Sequence, residues 1–413
     1  VKSWNEVPVP TLPGNAPLPR MRDSATGALT PLEVDGVASV YVCGITPYDA
    51  THLGHAATYL AYDTLVRVLR DARARVDYVQ NTTDVDDPLL ERATATDVDW
   101  RELAESQLEL YRTDMEALRI LPPTHFVGVV ESVDRIADAV ATLREQGLAY
   151  EVESPDAAPD LYFDIAAAAE VSPWHLGQES GLDRETMLQL SAERGGDPDR
   201  PGKRDALDPL LWRAERDGEP AWDSAVGRGR PGWHIECSVI GLTHLAAPIT
   251  LNGGGSDLLF PHHEFSAAHS AALTGTDWAR VYSHAGMVGY RGEKMSKSLG
   301  NLVFVSRLRE AGVDPAAIRL ALLDGHYRSD REWTDAVLER AQQRLASWRA
   351  WAAGASGEDV SVLKNMRELL ADDLDTAGVL TLLDAEVAAG RTPSRVTVEA
   401  IDALLGIRLS TAG

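Results

Sequence analysis

The thirteen residues from Cys43 to His55, Cys-Gly-Ile-Thr-Pro-Tyr-Asp-Ala-Thr-His-Leu-Gly-His, place a thiol, two imidazoles and two glycines in one short stretch. Upstream, Val37 to Val42 is an apolar, β-branched run of strand length, and downstream Ala56 to Leu69 carries apolar residues at helical spacing. A strand, a turn and a helix are expected. Unpaired N–H groups at such a helix start favour anions, and Gly54 lets a flat ligand approach the main chain. His52 and His55 would then stand beside a bound phosphate. Alone, the same residues also suit a helix cap with two solvated histidines. Far downstream, Lys294-Met295-Ser296-Lys297-Ser298 lies between Gly292 and Gly300-Asn301. Two ammonium groups and two hydroxyls on a glycine-bounded loop suit the charge of phosphates in a transition state, although an ordinary exposed basic loop has this composition too.

The remaining reactive side chains suggest a metal. Cys43 and Cys237, 194 positions apart, are the two cysteines, and His262-His263 follows the second. A disulfide is one reading; in a reducing compartment, thiols near a histidine pair favour metal ligation. A satisfied core histidine pair beside two unpaired thiols is the plain alternative.

The whole chain bounds these readings. Its 413 residues suffice for two or three domains, and 44% hydrophobic residues can fill a core. No run of about 18 apolar residues occurs, and the start, Val-Lys-Ser-Trp, lacks a signal-peptide pattern. A soluble, cytoplasmic protein without a membrane role is expected, with a monomer as the default. The formal net charge of −24 repels a phosphate backbone, so no nucleic-acid partner is expected.

Elements that position the chemistry can be read in order. Residues 1–148 form a proline-rich lead-in and the first half of a nucleotide-binding domain, with a second strand over Arg75 to Asn81 ending in Thr82-Thr83, and helices over Asp99 to Leu118 and Ser132 to Glu145. Residues 149–230 change character, with short strands at Tyr150 to Val152 and Leu161 to Phe163, then a polar stretch holding Glu193-Arg194-Gly195-Gly196-Asp197-Pro198. By composition that hexapeptide is a turn with a solvated ion pair. Residues 231–310 resume the nucleotide fold; Gly253 to Gly255 is no phosphate loop, lacking a following Gly-Lys-Ser/Thr, and reads as a tight turn. Residues 311–413 read as one compact helical bundle, with helices over Asp330 to Ala352, Val360 to Leu370, Thr376 to Ala389 and Val396 to Leu405.

His52-Leu-Gly-His55 followed by Lys294-Met-Ser-Lys-Ser298 resembles the class I aminoacyl-tRNA synthetases, and further residues resemble the cysteinyl enzyme. These are Cys43-Gly44, Asn81 to Asp87, Gly232 to Ser238 and Gly253 to Glu264, covering roughly residues 35 to 310. The resemblance implies an α/β, Rossmann-like nucleotide-binding domain split by a connective insertion, with a C-terminal α-helical bundle. It implies His52, His55, Lys294 and Lys297 as catalytic groups acting on ATP with Mg²⁺. It implies a substrate and adenylate set of Cys43, Gly44, Ile45, Thr46, Thr58, Asn81, Thr82, Thr83, Trp233, Gly255, Ser256, Asp257 and Val288. One Zn²⁺ per chain is implied on Cys43, Cys237 and His262, the choice of His262 over His263 resting on the resemblance alone. Trp233 would cover the substrate thiol, or be a plain core residue.

The chain also departs from the cysteinyl-tRNA enzymes. Where the tRNA enzymes typically continue His-His-Glu-Asn-Glu and ligate with the last glutamate, this chain reads His262-His263-Glu264-Phe265-Ser266, leaving the fourth position to a substrate sulfur unless Glu264 or His263 swings in. Only 115 residues follow Ser298, without a basic, aromatic-studded surface. Glu193 to Pro198 resembles a hexapeptide of the ligases that join cysteine to an aminosugar in mycothiol synthesis. The implied substrates are L-cysteine, ATP and glucosaminyl-inositol, with a shortened cysteinyl-tRNA synthetase or a non-catalytic sensor of cysteine or nucleotide as alternatives.

Overall fold

The computed structural model describes residues 1–155, 157–295 and 300–409, apart from the side chain of Lys294. Lys297 and the Lys294 side chain, both expected at the phosphates, lie outside the described residues.

A five-stranded parallel sheet carries the site, in the order Tyr282–Ala285, Leu251–Gly255, Val37–Ile45, Arg75–Thr82, His125–Gly128. The sheet's first strand in chain order, Val37–Ile45, lies in the middle, with later strands on each side. Connections therefore leave it in opposite directions, and the crevice at its C-terminal end is where such sheets bind ligands. Helices cover both faces, which is why Val37–Val42 in the central strand reads as a continuous apolar run. The helix Leu53–Asp71 begins at His52, whose Nδ1 accepts from the Gly54 N–H at 3.1 Å.

Gly253 to Gly255 correct the sequence reading. They are the C-terminal end of a strand, paired with Ser283, His284 and Ala285, and not a tight turn. The glycines serve close packing: a Cβ on Gly253 would lie 2.3 Å from the Tyr62 ring. That ring reaches over the strand so that Tyr62 accepts from Gly254 N at 2.8 Å and donates to Ser283 O at 2.5 Å.

Between the halves of the sheet stands a four-stranded antiparallel sheet, Ala149–Ser154, Ala157–Phe163, Leu210–Ala214 and Gly229–Pro231, with the helices Ile165–Val171 and Arg184–Glu193. The tail holds helices Asp335–Ala352, Ser361–Ala371, Thr376–Ala388 and Arg395–Leu405. It is not helical throughout. Arg331–Trp333 is a strand, pairing in parallel with Val288–Tyr290, which also pairs with Glu293–Lys294. This small sheet seats the segment leading into the lysine loop.

The tail and the sheet domain share one apolar core, joined by buried charge. Asp63 and Arg67, one turn apart on the helix Leu53–Asp71, are fully buried, and Arg67 Nε donates to Asp63 at 2.9 Å. Arg319, on the helix Pro315–Leu323, donates to the same carboxylate and to the Leu405 and Leu118 carbonyls. Each charge is thus paired and its remaining donors are occupied, the condition under which buried ions are tolerated.

Candidate metal and adenylate site

At the C-terminal end of Val37–Ile45 the chain places Cys43, and the helix Trp233–His244 brings Cys237 beside it, with the two sulfurs 4.0 Å apart and no disulfide. His262 comes from the irregular segment before the helix Glu264–Thr274, its Nε2 3.2 Å from the Cys237 sulfur. The three donor atoms lie within 4.8 Å of one another, all buried. Two sulfurs on a tetrahedral zinc at ~2.3 Å stand about 3.8 Å apart, so the observed donor set fits that ion.

The electrostatics agree with the fit. Burial, together with the neighbouring Cys237, pushes the Cys43 thiol well up. Burial would raise Cys237 too, but the hydrogen bond from Cys43 and the His262 ring hold it well below the ordinary thiol range. Burial opposes a second negative charge beside the first, and a divalent ion bound there would favour both thiolates.

Neighbouring groups fix each donor. His262 Nδ1 is 3.1 Å from His234 Nδ1, so the two rings share a proton and Nε2 of His262 is left for a metal. His263 faces Cys43, with Nε2 3.2 Å from the sulfur, while its Nδ1 meets His284 Nε2 at 2.8 Å and Asn252 Nδ2 at 3.2 Å. Burial, then His284 and His262, keep the His263 ring well below its ordinary value and hence neutral. Glu264 is turned away from the donors. Its carboxylate accepts from Trp174 Nε1 at 3.2 Å and from the N–H groups of Gly177 and Ser180 at 2.9 Å, tying down the insertion. Beside it Glu179 is pushed up to about 8 by burial and by Glu264, Asp23 and Asp277.

Beyond the sulfurs opens a cleft of about 360 Å³ lined by Cys43, Gly44, Ile45, Thr46, His52, His55, Thr58, Trp233, Gly255 and Asp257, among others. At one end the His52 and His55 rings stack, 3.8 Å between centroids. At the other Trp233 stacks on His262 at 4.3 Å, between the metal donors and the open cleft. Asn81, Thr82 and Thr83 do not line the cleft but hold its floor: Asn81 Oδ1 accepts from Gly44 N at 2.8 Å, and Thr82 Oγ1 donates to Ile45 O at 3.2 Å. Ser256 and Val288 are not among the residues lining the cleft either, and Val288 lines a neighbouring cavity with Trp333.

Residues 29–343 match the model of the tRNA synthetase class I (C) catalytic domain. The L-cysteine:1D-myo-inositol 2-amino-2-deoxy-alpha-D-glucopyranoside ligase of Clavibacter michiganensis subsp. michiganensis is 63% identical, over 100% of this chain and 99% of its own. The chain belongs to this ligase family. The relative of the same name from Nakamurella multipartita is 56% identical over 99% of this chain and 100% of its own. For the fold alone, Mycobacterium tuberculosis methionyl-tRNA synthetase bound by methionyl-adenylate aligns with a TM-score of 0.60 at 17% identity, covering 90% of this chain and 88% of that one. The fold is thus the class I synthetase one expected from the two motifs.

Sequence reasoning passed over several residues that this ligase-family chain brings to the site. His234 is the partner of His262, and its position three before Cys237 on one helix was the available signal. Tyr48 and Met295, inside the two motif stretches but given no role there, also line the cleft, as do Gly286 and Met287, which no spacing announces.

Proposed function

We propose that this protein is an ATP-dependent, AMP-forming ligase that joins L-cysteine to the amine of 1D-myo-inosityl 2-amino-2-deoxy-α-D-glucopyranoside in mycothiol biosynthesis. The observation that carries this reading is the 63% identity over the whole chain to a ligase of that name. A formal charge of −24 supports a small acceptor over a tRNA.

Cysteine lies with its sulfur at the Cys43, Cys237 and His262 end of the cleft and its carboxylate toward the stacked histidines. Zinc held by those three residues supplies a site that binds thiolate and leaves the harder, protonated hydroxyl of serine unbound, a choice that packing alone makes poorly. Trp233 closes the cleft over the sulfur. In the first step a carboxylate oxygen attacks the α-phosphorus of ATP, which arrives with Mg²⁺, and pyrophosphate leaves. His52 and His55 stand where negative charge accumulates on the phosphates, with Lys294 and Lys297 assigned to the same task. In the second step the acceptor nitrogen attacks the cysteinyl carbonyl carbon. The bond to AMP breaks, the nitrogen loses one proton, and an amide remains. Gly255 and Asp257 line the adenylate wall through both steps.

Incubation with ATP, labelled cysteine and either the glucosaminyl-inositol or a tRNA pool tests the reading. Label is expected in the sugar amide, with little dependence on salt; labelled tRNA without any amide would mean the acceptor is RNA.

A further inference from the structure

The hexapeptide Glu193 to Pro198 closes the helix Arg184–Glu193 and forms no part of the cleft wall. Its residues nevertheless hold one side chain in place. Gly195 takes a φ of +84°, and Gly196 packs so closely that a Cβ there would lie 2.1 Å from Ser191 Oγ. Gly196 N donates back to Ser191 O at 2.8 Å. Asp197 accepts from the Tyr162 hydroxyl and from Lys203 Nζ, the latter at 2.9 Å, which anchors the turn to the antiparallel sheet. Pinned on both sides, the turn presents Arg194.

Arg194 Nη1 donates to Asp257 O at 2.6 Å and to Phe260 O at 2.5 Å. These carbonyls bracket the stretch where helical hydrogen bonding fails, since Phe260 is extended, with φ −140° and ψ 136°, between two helical turns. Asp257 lines the cleft, and His262, two residues beyond Phe260, is a metal donor. One cationic nitrogen with two N–H groups therefore ties both ends of the segment joining the cleft wall to the metal site. Charge-assisted bonds of this kind are roughly twice as strong as neutral ones.

We propose that Arg194 is a positioning residue of the metal site: by holding the 257–260 segment from the insertion, it sets His262 against Cys43 and Cys237. This rests on the zinc reading above. Outer-shell groups that orient a ligand typically change metal affinity by about 10- to 100-fold when removed.

The test is zinc affinity of the full chain by chelator competition, compared among wild type, Arg194→Met, which keeps the apolar stem, and Arg194→Gln. Arg184→Ala, which breaks an ion pair to Asp205 on the same insertion, is the control. Zinc binding is expected to weaken about 10- to 100-fold in the Arg194 variants and not in the control. Added methylguanidinium should recover part of the loss, and the preference for cysteine over serine in adenylate formation should fall in parallel. Affinity within twofold of wild type in either folded Arg194 variant would overturn the inference, even if thermal stability drops. Wild type that holds no zinc would overturn the metal reading and this inference together, a result distinct from an unmoved variant.

Discussion

The two ends of the cleft are built differently. At the sulfur end every donor is buried and hydrogen-bonded to a second group: Cys43 to His263, Cys237 to His262, His262 to His234. At the other end His52 and His55 are half-buried, stacked on each other, at the first turn of a helix. The contrast suits the tasks proposed for the two ends. Telling sulfur from oxygen depends on donor geometry set before the substrate arrives, so those residues are fixed by neighbours from several elements. Phosphates bring their own charge, and groups that only need to face it can stand in a more open place.

The largest break in this comparison should come from Cys237→Ser. It removes a donor outright, so zinc should be lost and cysteine activation should fall by more than the ~10²-fold seen for outer-shell changes. Metal analysis with pyrophosphate exchange measures both, and full zinc content in the variant would remove Cys237 from the site. His55→Ala should act only at the open end. Adenylate formation should slow by roughly 10² to 10³ in single-turnover kinetics while zinc content stays at the wild-type level. Lys297→Ala should behave in the same way, and equal zinc loss in either variant would erase the distinction between the ends.

A smaller effect concerns the acid buried behind the sulfur end. Glu179 stays neutral in the fold up to about pH 8, whereas in the unfolded chain it ionises near its ordinary value. Between those values wild type should therefore lose stability as pH rises, by at most ~1.4 kcal/mol per pH unit. Glu179→Gln should lack that loss, so it should unfold at higher temperature than wild type at pH 8.5 and at the same temperature near pH 4.5. Equal melting curves at the higher pH would show that the carboxyl is solvated. The smallest effect is expected of Trp233→Ala, which removes a ring stacked on His262. A stack of this kind is worth ~0.5–1.5 kcal/mol, so KM for cysteine should rise by about two- to tenfold with kcat less changed.

Legibility in the sequence followed the same division. The strand Val37–Ile45 and the helix after His52 were readable because one carries a local apolar run and the other an apolar period. The donors were readable because cysteine and histidine are chemically distinctive. Gly253 was misread because its meaning lies in Tyr62, 191 positions earlier, whose ring occupies the space a side chain would need, while at Gly254 and Gly255 that space belongs to His263 and Asp257. Arg331–Trp333 was missed because three residues show no period, and the pairing with Val288–Tyr290 that makes them a strand is non-local. Arg194 read as one half of a solvated ion pair. Its actual acceptors are main-chain carbonyls, which no side-chain pattern announces.

The shared carboxylate of Asp63 has a bearing on where this chain can be divided. Arg319 reaches it from beyond residue 310, and Arg67 on the helix Leu53–Asp71 donates to carbonyls of Asp402 and Ala403 near the far end of the chain. A protein shortened after residue 310 would leave Asp63 without one of its two cations, and Arg67 Nη1 without its acceptors, inside an exposed apolar floor. The helical tail is in this sense a foundation for the helix that begins at His52, and it could not be exchanged for another module without rebuilding what it supports.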